Sequence, residues 1–132
     1  MIYAIIDAID EGLLAAAHDI SNGGLACTAM EMAITRPAKF GFELDLHPAG
    51  DHGMRTDKLL FSESSGFLLE ARPGKETRLM EILRSYNLEP IEIGTVTEKR
   101  RIVIRRAGEI VADLDLDEAK LAWTRGLAEA MK

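Results

Sequence analysis

The stretch from Leu13 to Ala33, LLAAAHDISNGGLACTAMEMA, constrains the fold of this chain more than any other. It opens with apolar and small residues, breaks at His18-Asp19-Ile20-Ser21-Asn22-Gly23-Gly24, and resumes with apolar residues at helical spacing. The pattern predicts a buried strand, a loop and a helix. Leu25, Ala29, Met32 and Ala33 fall on one face of that helix, and Ser21 or Asn22 stands where an N-cap belongs. Such a loop brings unpaired backbone N–H groups to a helix N-terminus, and paired glycines let a ligand approach the backbone. A site of this kind favours an anion. Strand-to-helix turns also use Gly, Asn and Ser for geometry alone, and the loop matches neither the Walker phosphate loop nor the dinucleotide fingerprint. Both readings stay open at this point.

A length of 132 residues predicts one domain, residues 1–132, able to bury a core without disulfides or metal. The net charge of −6, with no long basic stripe, argues against nucleic acid and anionic membranes as partners. Cys27 is the only cysteine and suits a reducing compartment. There is no signal-type apolar core and no apolar run of membrane-spanning length, so the expected location is cytoplasmic.

Taken in order, Ile2 to Gly12 predicts an amphipathic helix with Ile2, Ile5, Ile6 and Ile9 opposite Asp7, Asp10 and Glu11. After the Leu13 stretch, Arg36-Pro37 closes the second helix. Phe40 to Leu46 alternates apolar and polar residues as a half-buried strand does. His47 to Lys58 is read as a loop or short helical connection. Apolar Leu59-Leu60-Phe61 follows, broken by Ser62-Glu63-Ser64-Ser65-Gly66. Phe67 to Ala71 predicts a strand, Pro73-Gly74 a turn, and Glu76 to Tyr86 a helix on Leu79, Met80, Ile82, Leu83 and Tyr86, ended by Asn87. Pro90 to Thr97 predicts a strand with a bulge or close backbone contact at Gly94. Arg101 to Arg106 and Glu109 to Leu114 form a hairpin about Ala107-Gly108. A last helix begins near Leu116, capped by Asp117, with Ala119, Trp123, Leu127 and Ala130 as its buried stripe. The expected class is α+β: a mixed or antiparallel sheet covered by helices on one face, with a ferredoxin-like element over 67–114.

Candidate chemistry is sparse. Ser62, Glu63 and Ser64 next to a strand can hold a phosphate, a ribose or a metal-bound water, though this composition also suits a plain turn. His18 and Asp19 offer an acid–base pair, but neighbours on a strand point to opposite sides. His47, Asp51 and His52 make a loose cluster without a further ligand pair. Cys27 reads as a small buried thiol, and Asp113, Asp115 and Asp117 as the exposed face of a strand running into a helix cap. Arg100, Arg101, Arg105 and Arg106 suit an acidic partner surface or simply exposed strand ends.

The pieces AAHDISNGGLACTAMEMA and LLFSESSGFLLEA, in that order, resemble the C-terminal end of the large synthetase subunit of phosphoribosylformylglycinamidine synthases. More broadly they are similar to the C-terminal domain shared with aminoimidazole ribonucleotide synthetase, selenophosphate synthetase and thiamine-monophosphate kinase. The resemblance extends through Ile93-Gly94-Thr95-Val96 and the helix holding Trp123, with one departure at Phe67, where the family often has arginine. It implies an ATP-dependent ligase of purine biosynthesis that converts formylglycinamide ribonucleotide and glutamine-derived ammonia to the amidine. The intact enzyme uses ATP and Mg2+ and works with a glutaminase and a small accessory subunit.

The family's catalytic histidine, metal-binding acids and most nucleotide contacts lie in separate ATP-binding domains. By this resemblance the chain is the last domain of the second of two copies, and an isolated copy is inactive and binds no cofactor strongly. Asp19, Ser21, Asn22, Gly23 and Gly24 are then expected on a loop facing the ATP-binding domain, with Ser62, Glu63 and Ser64 on a neighbouring loop. They would hold the interface or a phosphate, and none is catalytic. Two other readings compete: a stand-alone interaction module, and a complete small phosphoryl-transfer enzyme. Apolar surface left by an absent partner would drive homodimerisation under either of the first two readings. Against the enzyme, the chain lacks a phosphate loop with lysine, a metal-binding acid pair and a nucleophile–base pair.

Overall fold

A computed structural model describes residues 1–35, 40–46 and 53–131. The elements are α1 (Ile2–Asp10), β1 (Leu14–Ile20), α2 (Gly24–Ile34), β2 (Gly41–Asp45), α3 (Thr56–Phe61), β3 (Gly66–Ala71), α4 (Glu76–Ser85), β4 (Gly94–Thr97), β5 (Arg101–Arg106), β6 (Glu109–Asp115) and α5 (Leu116–Ala130). The α+β class holds, but the strands divide into two sheets. β1 pairs antiparallel with β3, and a mixed sheet runs β4-β2-β5-β6, with β2 and β5 parallel. The predicted strand-helix-strand-strand order over 67–114 is present, yet β3 joins β1 and leaves β4, β5 and β6 to the other sheet.

Two clusters of buried side chains follow from this division. Phe42, Leu44, Leu46, Ile102 and Ile104 of the larger sheet pack against Ala29, Ala33 and Ile34 of α2, Leu60 of α3, and Leu116 and Ala119 of α5. Ala4, Ile5 and Ala8 of α1 pack with Leu13, Leu14 and α4 residues Leu79, Ile82 and Leu83. β3 serves both. Phe67, Leu69 and Ala71 face α1 and α4, while Leu68 faces the other cluster, as side chains of alternating direction must. β3 is therefore half-buried on both faces, which is why FLLEA shows no clean polar alternation, whereas β1, expected to be buried, leaves Ala15, Ala17 and Asp19 exposed.

Several expectations are corrected. The inward face of α1 is Ala4, Ile5 and Ala8, and Ile2, Ile6 and Ile9 point outward. Small residues on the inward side let α1 lie close to α4. The N-cap of α2 is Gly23, not Ser21 or Asn22, and Met32 is only half-buried, outside the core that takes Leu25, Ala29 and Ala33. Residues 90–93 are not strand, although Ile93 O still accepts the Asp45 N–H at 2.6 Å. α5 is capped by Asp115, whose Oδ1 accepts the N–H groups of Asp117 and Glu118 at 2.9 and 3.2 Å, while Asp117 pairs with Arg100. Trp123 is exposed, so Leu116 and Ala119 carry the inner face of α5. His47, Asp51, His52 and Arg36-Pro37, and the side chains of Leu127 and Ala130, lie outside the described residues.

Other expectations hold. Asn87 ends α4 with φ 56°, and Ala107 and Gly108 turn the hairpin with φ 50° and 82°, as a type I′ turn requires. At Gly94 an added Cβ would stand 2.2 Å from Glu43 O, which is the close backbone contact its place in a strand implied. Arg101 bonds Asp113 at 2.7 Å, and Arg106 reaches Thr56 Oγ1 at 2.8 Å. With Arg100 on Asp117, three of the four clustered arginines have partners among the described residues.

Candidate functional site

β1 carries the chain to Ile20, and a tight turn over Ser21–Gly23 redirects it into α2. The Gly24 N–H donates to Ser21 O at 3.0 Å, and Gly23 and Gly24 adopt φ values of 81° and 66°, a region that disfavours any residue with a Cβ. Space imposes the same choice. A Cβ on Gly24 would stand 2.7 Å from Phe61 C and Ser62 O, and one on Gly23 would stand 2.3 Å from Cys27 Sγ. The start of α2 is thus seated on the backbone at the end of α3, where the serine loop begins.

One hydrogen bond joins the two loops directly: the Gly23 N–H donates to Glu63 Oε1 at 3.1 Å. Ser62 and Ser64 bond through their hydroxyls at 2.8 Å, and the buried Thr28 hydroxyl donates to Asp19 O at 3.3 Å, tying the end of β1 to α2. Of the eight residues expected here, Ser21, Gly23, Gly24, Ser62, Glu63 and Ser64 form one hydrogen-bonded and packed unit. Asp19 and Asn22 flank it with exposed side chains.

Beside this unit lies a polar chain of which the sequence showed only one end. His18 Nε2 is 3.3 Å from Glu31 Oε2, and Trp123 Nε1 donates to Glu31 Oε1 at 3.4 Å. The only charged residue in α2, Glu31 stands among apolar neighbours, and that isolation was the available signal. The His18 ring also reaches its neighbour: Nδ1 lies 2.7 Å from Asp19 O and 3.5 Å from Asp19 Oδ1. Asp19 and His18 therefore do not diverge as strand neighbours were expected to. Both are partly or well exposed, so these contacts orient side chains more than they stabilise the fold. Phe67 packs toward the α1–α4 cluster, away from the serine loop.

Two of the backbone donors at the start of α2 are already occupied. The Gly23 N–H already carries the Glu63 carboxylate, and the Gly24 N–H carries Ser21 O. Among the described residues no three His, Cys, Asp or Glu side chains are grouped to hold a metal. A shallow depression of about 400 Å³ borders the serine loop, lined by Met54, Asp57, Lys58, Phe61 and Ser62. Among the described residues no helix is long and apolar enough to cross a membrane.

Comparison with known proteins agrees with this architecture. Residues 1–107 match the family described as AIR synthase related protein, C-terminal domain. Phosphoribosylformylglycinamidine synthase subunit PurL of Methanothrix thermoacetophila is 48% identical over 132 residues, covering 100% of this chain and 16% of that protein. The chain thus spans about one sixth of that relative's length. Among solved structures, T. maritima PurL complexed with ATP has a TM-score of 0.78 at 22% identity, covering 90% of this chain and 21% of that one. The structure of PurLQS from Thermotoga maritima gives 0.77 at 22% identity, over 90% of this chain and 21% of that one. The likeness to these structures is one of fold. On the family match, the chain belongs to the AIR synthase related proteins, as a C-terminal domain of that family.

Proposed function

We propose that this chain is the C-terminal accessory domain of a phosphoribosylformylglycinamidine synthase, and that its glycine and serine loops form the surface that faces an ATP-binding domain. The observation that carries this reading is the junction of the two loops. The residues of DISNGG and FSES are far apart in sequence, yet Glu63 closes on Gly23 and the backbone of 60–62 abuts Gly24. A junction that turns the Gly23 and Gly24 donors onto its own acceptors is built to hold a shape. Asp19, Asn22, Ser62 and Ser64 are left to meet a partner surface.

On this reading the ligase chemistry, with its ATP, Mg2+, formylglycinamide ribonucleotide and glutaminase-derived ammonia, belongs to the cytoplasmic multi-domain enzyme and its glutaminase and small subunits. This chain contributes no catalytic residue. Calorimetric titration of the 132-residue chain with ATP–magnesium, ADP–magnesium, formylglycinamide ribonucleotide and inorganic phosphate is expected to give no binding heat. Micromolar binding of any of the four would overturn the statement that the loops act only against their partner.

A further inference from the structure

α1 turns its largest apolar side chains away from the protein. Ile2, Ile6 and Ile9 are 63%, 44% and 55% exposed, and spacings of four and three residues set them in one row. Tyr3, more exposed still, flanks the row, and Asp10 lies seven residues on, along the same flank. A row of this kind on a water-soluble surface marks a contact site.

The charges of α1 specify what covers it. There is no acidic residue in the first turn and no basic one in the last. Asp7, Asp10 and Glu11 gather instead toward the C-terminal end, where the helix dipole disfavours them. Asp7 is relieved by the Tyr86 hydroxyl, whose phenol is raised above its ordinary value chiefly by that hydrogen bond. Glu11 is relieved by Arg78 at 3.0 Å. Asp10 has no hydrogen bond or ion pair among the described residues, and neither does the Tyr3 hydroxyl.

We propose that α1 is a self-association surface on which a second copy of this chain lays its own α1 antiparallel, about a two-fold axis near Ile6. Ile2 of each copy then lies beside Ile9 of the other. The same symmetry keeps like flanks on one side, so the Tyr3 hydroxyl of each copy reaches Asp10 of the other, and each helix N-terminus approaches the other's acidic end. One occupant thereby supplies the apolar row, the missing donor and the positive helix end together. A nine-residue helix is only about 14 Å long, so the contact falls well short of the roughly 800 Å² per partner of a tight complex. The pairing is accordingly weak and concentration-dependent.

Sedimentation equilibrium of the full chain over a concentration series tests this. A monomer–dimer equilibrium is expected, abolished by Ile6→Lys with an unchanged circular dichroism spectrum, because Ile6 faces out of the fold. Tyr3→Phe and Asp10→Asn are each expected to weaken it several-fold. Val111→Lys, on the exposed strand β6, is expected to leave it unchanged. A parent chain that stays monomeric throughout would overturn the proposal. So would a dimer indifferent to Ile6→Lys, or one lost on Val111→Lys.

Discussion

Replacing Gly24 with alanine is expected to destabilise the chain by about 3 kcal/mol and to open the contact between the two loops. Two separate costs combine. The φ of +66° is a left-handed conformation that costs an L-residue roughly 1–2 kcal/mol. The added Cβ would also sit 2.7 Å from Phe61 C and Ser62 O and 2.8 Å from Leu60 O. These are backbone atoms and cannot rotate aside, so overpacking adds roughly 1–3 kcal/mol or forces α2 away from α3. Gly12→Ala separates the two terms. Gly12 has φ +68° but nothing within 4 Å of its would-be Cβ, so its substitution should cost only about 1–2 kcal/mol. Urea unfolding of both variants reads the difference. Equal losses would mean that the seating of α2 on the end of α3 contributes nothing.

The second large effect is expected at Ile102, where alanine should cost about 3–4 kcal/mol. Ile102 is 2% exposed at the start of β5, in register with Phe42 on β2 and Leu114 on β6, and it joins the cluster formed by α2, α3 and α5. Truncation removes buried methyl groups and leaves a cavity that a strand held on both sides cannot collapse. Ile6→Ala in α1 removes the same atoms from an outward face and should fall within about 0.5 kcal/mol of the parent. Chemical denaturation of the two variants should therefore separate them widely. A comparable loss at both positions would contradict the assignment of the α1 faces.

The contrast between these isoleucines shows how much of the fold the sequence made legible. Residues 13–33 could be read as strand, loop and helix because the polar break and the two glycines leave few alternatives, and the strand within Phe40 to Leu46 because of its alternation, although Phe40 itself stands outside β2 and is exposed. The orientation of α1 could not be read. Apolar residues occupy most of that helix, and the choice of face rests with α4, which accepts the close approach of Ala4 and Ala8. The partner of β3 was hidden for a related reason: apolar on both faces, it carries no period that favours one neighbour over another. The cap of α5 was misplaced by two residues within an alternating run of aspartates, where only backbone direction distinguishes Asp115 from Asp117.

The candidate site was legible as two loops but not as one unit. Nothing local in FSES points to Gly23, because the hydrogen bond from its N–H to Glu63 spans 40 residues. The His18–Glu31–Trp123 chain was hidden likewise, since it draws on β1, α2 and α5, whose proximity exists only in the folded protein.

The most direct measurement is the rate of amidine formation by the Methanothrix thermoacetophila synthase subunit with its 132 matching residues replaced by this chain, alone and with Asp19→Ala and Ser62→Ala together. The chimera is expected to be active and the double variant to lose about tenfold or more, with its circular dichroism unchanged. Full activity in the double variant would contradict the claim that these loops form the working surface between the domains.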